Sequence, residues 1–225
     1  MPEFLALLRS NRNYRHTWLA QVVSEVGDYF NNVAVFSLAL QTTGSGLVVS
    51  GVMLARAIPA VAAGPVAGVV LDRFDRRRIM IASDLVRAVV ALAFLLTIGR
   101  PRPWLLYALS ALLMFASQFF SSGRAAILPS IATPGELHTA NALTQTTQWA
   151  TITVGTLAAG YATAGLGYRG AFVFNALSLL YSAWAIARLR GSFKPQREAH
   201  APQGDLRPWA EYRAGLAYLR SVPLL

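Results

Sequence analysis

Cysteine is absent from the sequence, which excludes disulfides and thiolate metal sites and leaves the redox compartment unreadable. Histidine is scarce. His16, His138 and His200 fall in arms or loops, and the sequence holds neither an H-E-x-x-H pair nor a glycine-rich nucleotide loop. We therefore expect no enzyme, no metal and no cofactor. Charge is thin as well: Asp, Glu, Lys and Arg make up 13% of residues, against about 25% in soluble domains. A cleavable leader is not expected, because the first apolar run carries Glu25 and Asp28 and lacks a small-residue cleavage site.

What fills the chain instead is apolar. Hydrophobic residues are 55% of its 225 positions, and the mean hydropathy is positive. A helix crosses the hydrocarbon core with about 20 mainly apolar residues. Six segments meet that length: 17–40, 47–71, 78–99, 103–122, 140–163 and 169–189. The breaks between them are short and rich in Gly, Pro or charge, such as Gly44–Ser45–Gly46, Asp72–Arg78 and Gly165–Leu166–Gly167. Thr133, Pro134 and Glu136 have the spacing of a capping box that opens the fifth helix. The expected fold is an all-α membrane protein with a six-helix transmembrane bundle over residues 1–190, followed by a cytoplasmic segment, 191–225.

The formal net charge of +10 does not point to nucleic acid. The basic residues lie between apolar runs, as positive-inside topology places them. Arg9, Arg12 and Arg15 precede the first span, Arg73 and Arg76–Arg78 follow the second, Arg124 follows the fourth, and seven more follow the sixth. Together these are fifteen of the 20 Lys and Arg. Only Arg100, Arg102 and Arg169 fall in the alternate loops. Both ends of the bundle are thus expected on the cytoplasmic side of the cell membrane.

The loop between the second and third spans reads Gly68-Val-Val-Leu-Asp72-Arg73-Phe74-Asp75-Arg76-Arg77-Arg78. It resembles G-x-x-x-D-R-x-G-R-R, motif A of the major facilitator superfamily, with Asp75 in place of the second Gly. Gly68 permits close helix contact. Asp72 sits near a helix C-terminus that disfavours a carboxylate, so it needs a cationic or helix N-terminal partner, with Arg73, Arg76 and Arg77 as nearby donors. Further stretches look like the branch that includes macrolide-efflux and enterobactin-export proteins: Gly27–Asp28, Arg56-Ala-Ile-Pro59, Asp84-Leu-Val-Arg87, and Ala125–Pro129 leading to Ala140–Leu143. The resemblance implies a secondary active transporter of small molecules in which motif A acts as a conformational switch. It also implies a second six-helix bundle beyond this chain, with substrate held between the two bundles. Two features depart from the exporter pattern. Gly155 and Gly160 remain on the fifth helix as a small face, but Thr156 and Ala159 replace a Pro and a Gly. The fourth span, 103–122, carries no Arg.

Ionisable residues inside spans are costly and mark candidate sites. Glu25, Asp28, Arg56, Asp84 and Arg87 qualify. Asp28 lies about 16 Å and Arg56 about 22 Å from the cytoplasmic ends of their helices, at 1.5 Å per residue. Glu25 and Asp28 share a face. One reading makes them a cavity site for a proton or a cationic substrate; the other pairs either of them with Arg56 in a fixed bond between helices. Asp84 and Arg87 are read as supporting charges that brace the motif loop. Asn31, Asn32, Gln118, Gln145 and Gln148 are softer candidates, as are the aromatics Tyr29, Phe30, Phe119, Phe120 and Trp149. In the tail, Trp209, Tyr212, Leu216 and Leu219 recur at helical spacing among arginines, as in a helix lying on a membrane surface. The closing apolar run, Ser221–Leu225, is expected to lead into a seventh span. A six-helix scaffold or a dimeric half-transporter is the competing reading, decided by the downstream reading frame.

Overall fold

The computed structural model describes residues 2–99, 102–191 and 193–194. The expected surface helix of the tail lies outside them. Among the described residues the chain is helical throughout: α1 Pro2–Ser10, α2 Arg12–Thr43, α3 Gly46–Arg73, α4 Arg76–Ala93 with a 3₁₀ turn Phe94–Thr97, α5 Pro103–Ile131 and α6 Leu137–Ala187. Local chemistry sets several boundaries. Asn11 caps α2 by accepting from the Tyr14 N–H at 2.9 Å. Gly44 ends the helix at φ 63°, donating its N–H to the Leu40 carbonyl at 2.8 Å. Pro103 opens α5, where its missing N–H costs nothing.

Three boundaries differ from the expectation. The N-terminal arm contains a helix of its own, α1. The fourth helix runs to Ile131, nine residues past the expected end, because Arg124 turns into the bundle instead of marking the water boundary. The loop expected at 165–167 shrinks to one non-helical residue, Gly167 at φ 68° and ψ 179°. The two halves of α6 on either side of it correspond to the fifth and sixth expected spans. The capping box is half formed. The Glu136 carboxylate accepts from the Thr133 N–H at 2.9 Å, but the Thr133 hydroxyl donates to that carboxylate, and the helix starts at Leu137.

Among the described residues, four helical stretches are long and apolar enough to cross a membrane: Gly46–Arg73, Arg76–Thr97, Pro103–Ile131 and Gly165–Ala187. Helix α2 and the first half of α6 fall short of that apolarity, since Gln21, Glu25, Asp28, Asn31 and Asn32 on the first, and a run of Thr and Gln on the second, dilute them. These two polar helices pack on each other and on the apolar ones.

The core divides into two large apolar clusters. One lies at the end carrying the basic loops and joins Leu7, Tyr14, Met80, Ile127, Leu143 and Ile186. The other lies at the opposite end and joins Phe30, Leu38, Phe94, Leu113 and Phe172. Ala140 and Ile186 share one cluster, and Ala159 and Phe172 the other, so α6 folds back on itself at Gly167. Asn13 and the Arg190 backbone exchange two hydrogen bonds, 2.9 and 3.0 Å, which tie the start of α2 to the end of α6.

Candidate functional site

Between the two apolar clusters lies a polar layer that every helix except α1 enters. Its members on α2, Glu25 and Asp28, fall between Ala20 of one cluster and Phe30 of the other. Asp84 and Arg87 on α4 fall between Met80 and Val90 in the same way. A charge held in such a layer must be paired and hydrogen-bonded to persist.

Arg87 is the centre of the first network. Its guanidinium donates to the Asp28 carboxylate at 2.5 Å and to Asp84 at 2.8 Å. The second Asp84 oxygen accepts from the Ser182 hydroxyl of α6 at 2.6 Å. Phe120 of α5 lies against the Arg87 guanidinium, 5.7 Å from its carbon to the ring centroid. The Arg87 and Asp84 side chains are 3% and 0% exposed, whereas Asp28 keeps 22%. One Asp28 oxygen, Oδ1, is buried without a hydrogen-bond partner. The network joins α2, α4 and α6, and it needs Gly27 beside it: a Cβ there would sit 1.9 Å from the Ser178 Oγ and 2.8 Å from the Asn175 Oδ1.

Glu25 belongs to a second network, one turn nearer the basic end. Its oxygens accept from the Gln21 amide at 2.9 Å and the Thr151 hydroxyl at 2.8 Å. Arg124 of α5 faces it at 3.8 Å, close enough for attraction but beyond hydrogen-bond reach. The two side chains remain 20% and 18% exposed.

These contacts revise the expected pairings. Arg56 makes no ion pair with Asp28 or Glu25; it donates to the Asn32 side-chain carbonyl on α2 and lies over the Phe36 ring at 5.7 Å. Its Nη1 is buried and unpartnered. Arg87 bonds to both Asp84 and Asp28, so this pair joins α4 to α2 rather than bracing the motif loop. The missed members are Arg124, Ser182 and Thr151. A signal for the α6 side was present: Asn175, Ser178 and Ser182 recur three and four residues apart on one face of an otherwise apolar helix.

The motif loop is built differently from its expectation. Asp75 caps α4 by accepting from the Arg78 N–H at 3.1 Å, which accounts for an Asp at that place. Arg76 donates to the Ala126 carbonyl of α5 at 2.8 Å. Arg77 donates to the Ala187 carbonyl, the last of α6, where a cation is favoured. Asp72 is exposed and takes part in none of the three ion pairs among the described residues. It lines an open cleft of about 620 Å³ with Arg73, Arg78 and Lys194. A Cβ on Gly68 would meet nothing within 4 Å, so no helix of this bundle uses the close approach that Gly68 allows. The small face of the fifth helix divides likewise. Gly155 holds the Tyr29 ring, 2.8 Å from where its Cβ would be, whereas Gly160 faces open space. Five residues at about 100° each turn the helix through about 140° between them.

The description Major Facilitator Superfamily matches residues 17–225 of the sequence. The chain belongs to that superfamily. It is similar to the uncharacterized MFS-type transporter YfiS of Bacillus subtilis, at 27% identity over 221 residues, 97% of this chain and 52% of the relative. It is 30% identical over 183 residues to BacE of Bacillus subtilis, a protein provisionally named a bacilysin exporter, covering 81% of this chain and 45% of the relative. A shorter stretch of 71 residues is 37% identical to macrolide efflux protein A of Streptococcus pyogenes, 32% of this chain and 18% of that protein. The chain spans about half the length of the first two relatives. It is therefore a chain of a superfamily of membrane transporters, and the efflux branch fits its relatives.

Proposed function

We propose that this chain forms one side of a secondary active exporter of small molecules, working by alternating access in the cell membrane with the basic loops facing the cytoplasm. The named functions of the relatives, a bacilysin exporter and a macrolide efflux protein, support export of small, drug-like or amphipathic molecules. Alternating access needs a second wall for the cavity, and a C-terminal bundle connected through residues 191–225 would supply it. Six spans are read for this half, the two polar ones lining the cavity.

One observation carries the coupling step: Asp28 offers Arg87 one carboxylate oxygen and leaves the other, Oδ1, buried and unpartnered. A proton on that oxygen weakens the hold of Arg87 and frees the contact among α2, α4 and α6. Binding and release of a proton there would couple the gradient to rearrangement of the bundle. Asp84 and Arg56 are the other charges that face this group.

The test uses the protein produced from its whole reading frame, in everted membrane vesicles. Gradient-driven export is expected to be lost in Asp28→Asn, while exchange of substrate without a gradient persists. Wild-type export with an unchanged pH profile in that variant would sink the assignment.

A further inference from the structure

We propose that Glu25 and Arg124 form an ion pair opened by substrate, a clamp for a zwitterion that carries an ammonium and a carboxylate. The proposal rests on the transporter reading above and names the substrate class of the cavity.

The first support is hydrogen-bond bookkeeping. A guanidinium carries five N–H donors, and a partly buried one without acceptors is costly. Arg124 is held at 3.8 Å from Glu25, and its Nη1 is buried with no hydrogen-bond partner. Glu25 is differently placed: neutral donors, Gln21 and Thr151, already hold both its oxygens. The carboxylate is thus fixed without its cation, and the cation stands ready for another carboxylate, with bidentate geometry available.

The second support is charge balance. The layer contains three carboxylates, Glu25, Asp28 and Asp84, and three guanidiniums, Arg56, Arg87 and Arg124. With all of them ionised the set is neutral. A monovalent organic anion or cation entering it without a compensating proton movement would leave an unbalanced charge in the bilayer, which is expensive. A zwitterion inserted between Glu25 and Arg124 exchanges one ion pair for two and leaves the total at zero.

The third support is access. The pair keeps 20% and 18% exposure, in contrast to the sealed Arg87–Asp84 pair at 3% and 0%. The neighbouring lining of Thr144, Thr147 and Thr151, with Trp18 donating to the Thr147 hydroxyl at 2.9 Å, offers uncharged polar groups and a flat apolar ring to the remainder of such a molecule.

Three probes decide the matter, measured by calorimetric titration against the purified full-length protein: alanyl-alanine, its N-acetyl form, which is an anion only, and its amide, which is a cation only. The dipeptide is expected to bind at least tenfold more tightly than either capped form. Glu25→Gln keeps one acceptor oxygen for the Gln21 amide and turns an N–H toward the Thr151 hydroxyl, which accepts as well as donates, so the variant should fold; it and Arg124→Gln are expected to weaken dipeptide binding by tenfold or more. Arg124→Lys should recover part of that loss, which a merely structural role would not produce. Equal binding of the capped probes, no binding of the dipeptide, or unaltered affinity in Glu25→Gln would each overturn the proposal. Gradient-driven export that still depends on Asp28 would then leave the transporter reading standing.

Discussion

Glu25 and Asp28 stand three residues apart on one helix, yet the structure treats them in opposite ways. Asp28 meets Arg87 at 2.5 Å in a network continued by Asp84 and Ser182. Glu25 meets Arg124 only at 3.8 Å and is held by neutral groups. The difference comes from the facing helices. Helix α4 carries an Asp and an Arg one turn apart, so Arg87 is oriented by Asp84 before it reaches Asp28. Helix α5 has no acidic neighbour to orient Arg124. The contrast is one of pairing: Asp28 meets a cation already oriented by a second carboxylate, whereas Glu25 faces a cation that no other carboxylate holds.

The comparison breaks most severely at Arg87. Arg87→Met leaves two carboxylates in the layer without their cation, and removing one partner of a buried pair costs about 3–5 kcal/mol. Thermal unfolding of the detergent-solubilised protein should show a large loss of stability or no folded protein. Arg124→Gln in the same assay should cost about 1 kcal/mol or less, the scale of a partly exposed pair. Similar losses at the two positions would abolish the distinction.

Next in size is Gly27→Ala. Its new Cβ would lie 1.9 Å from the Ser178 Oγ, so α2 and α6 must separate, at about 1–3 kcal/mol for an overpacked contact. Gly160→Ala, facing open space, should be neutral or slightly stabilising through better helix propensity. Ser182→Ala removes the hydroxyl donor to Asp84, worth about 1.5–3 kcal/mol for a hydrogen bond to a charged group. The same measurement on Thr151→Ala should show less, because Glu25 keeps Gln21.

The smallest effect concerns Glu136, outside the spans. The Thr133 backbone N–H, then the Thr133 hydroxyl and the Asn11 amide, hold its carboxyl below the usual glutamate range. A carboxyl whose folded pKa is depressed contributes stability above its unfolded pKa, about 4.3. That contribution disappears as pH falls through the lower folded value. Glu136→Gln should lower stability slightly at neutral pH and flatten the profile through that acidic window, below which the two proteins converge. A scan of unfolding temperature against pH reads both.

Much of the fold was legible in the residues, and the reasons are local. Hydrophobic run length matched the four described helical stretches apolar enough to cross a membrane, and Gly44 and Pro103 marked real boundaries because left-handed φ and a missing N–H are properties of single residues. Five of the buried ionisable residues were found by their cost alone. Arg124 was missed because a lone Arg at the edge of an apolar run has the look of a loop charge. The pairings were missed for a different reason. Depth along a helix says how far a charge lies from the water, but it does not say which neighbouring helix it faces. The depths of Arg56 and Asp28 differed by no more than an Arg side chain can bridge, yet Arg56 meets Asn32 and Asp28 meets Arg87.

The sequence by itself determined the all-helical membrane fold class and the family, because those depend on run length, charge content and a contiguous motif. Only the tertiary structure decided that Gly68 and Gly160 face open space while Gly27 and Gly155 are packed against side chains, that the Arg76 and Arg77 side chains bond to helix carbonyls, and that the layer holds one closed and one half-open network. Those outcomes depend on the rotation of each helix about its own axis and on which helices become neighbours, and both are settled when the bundle packs.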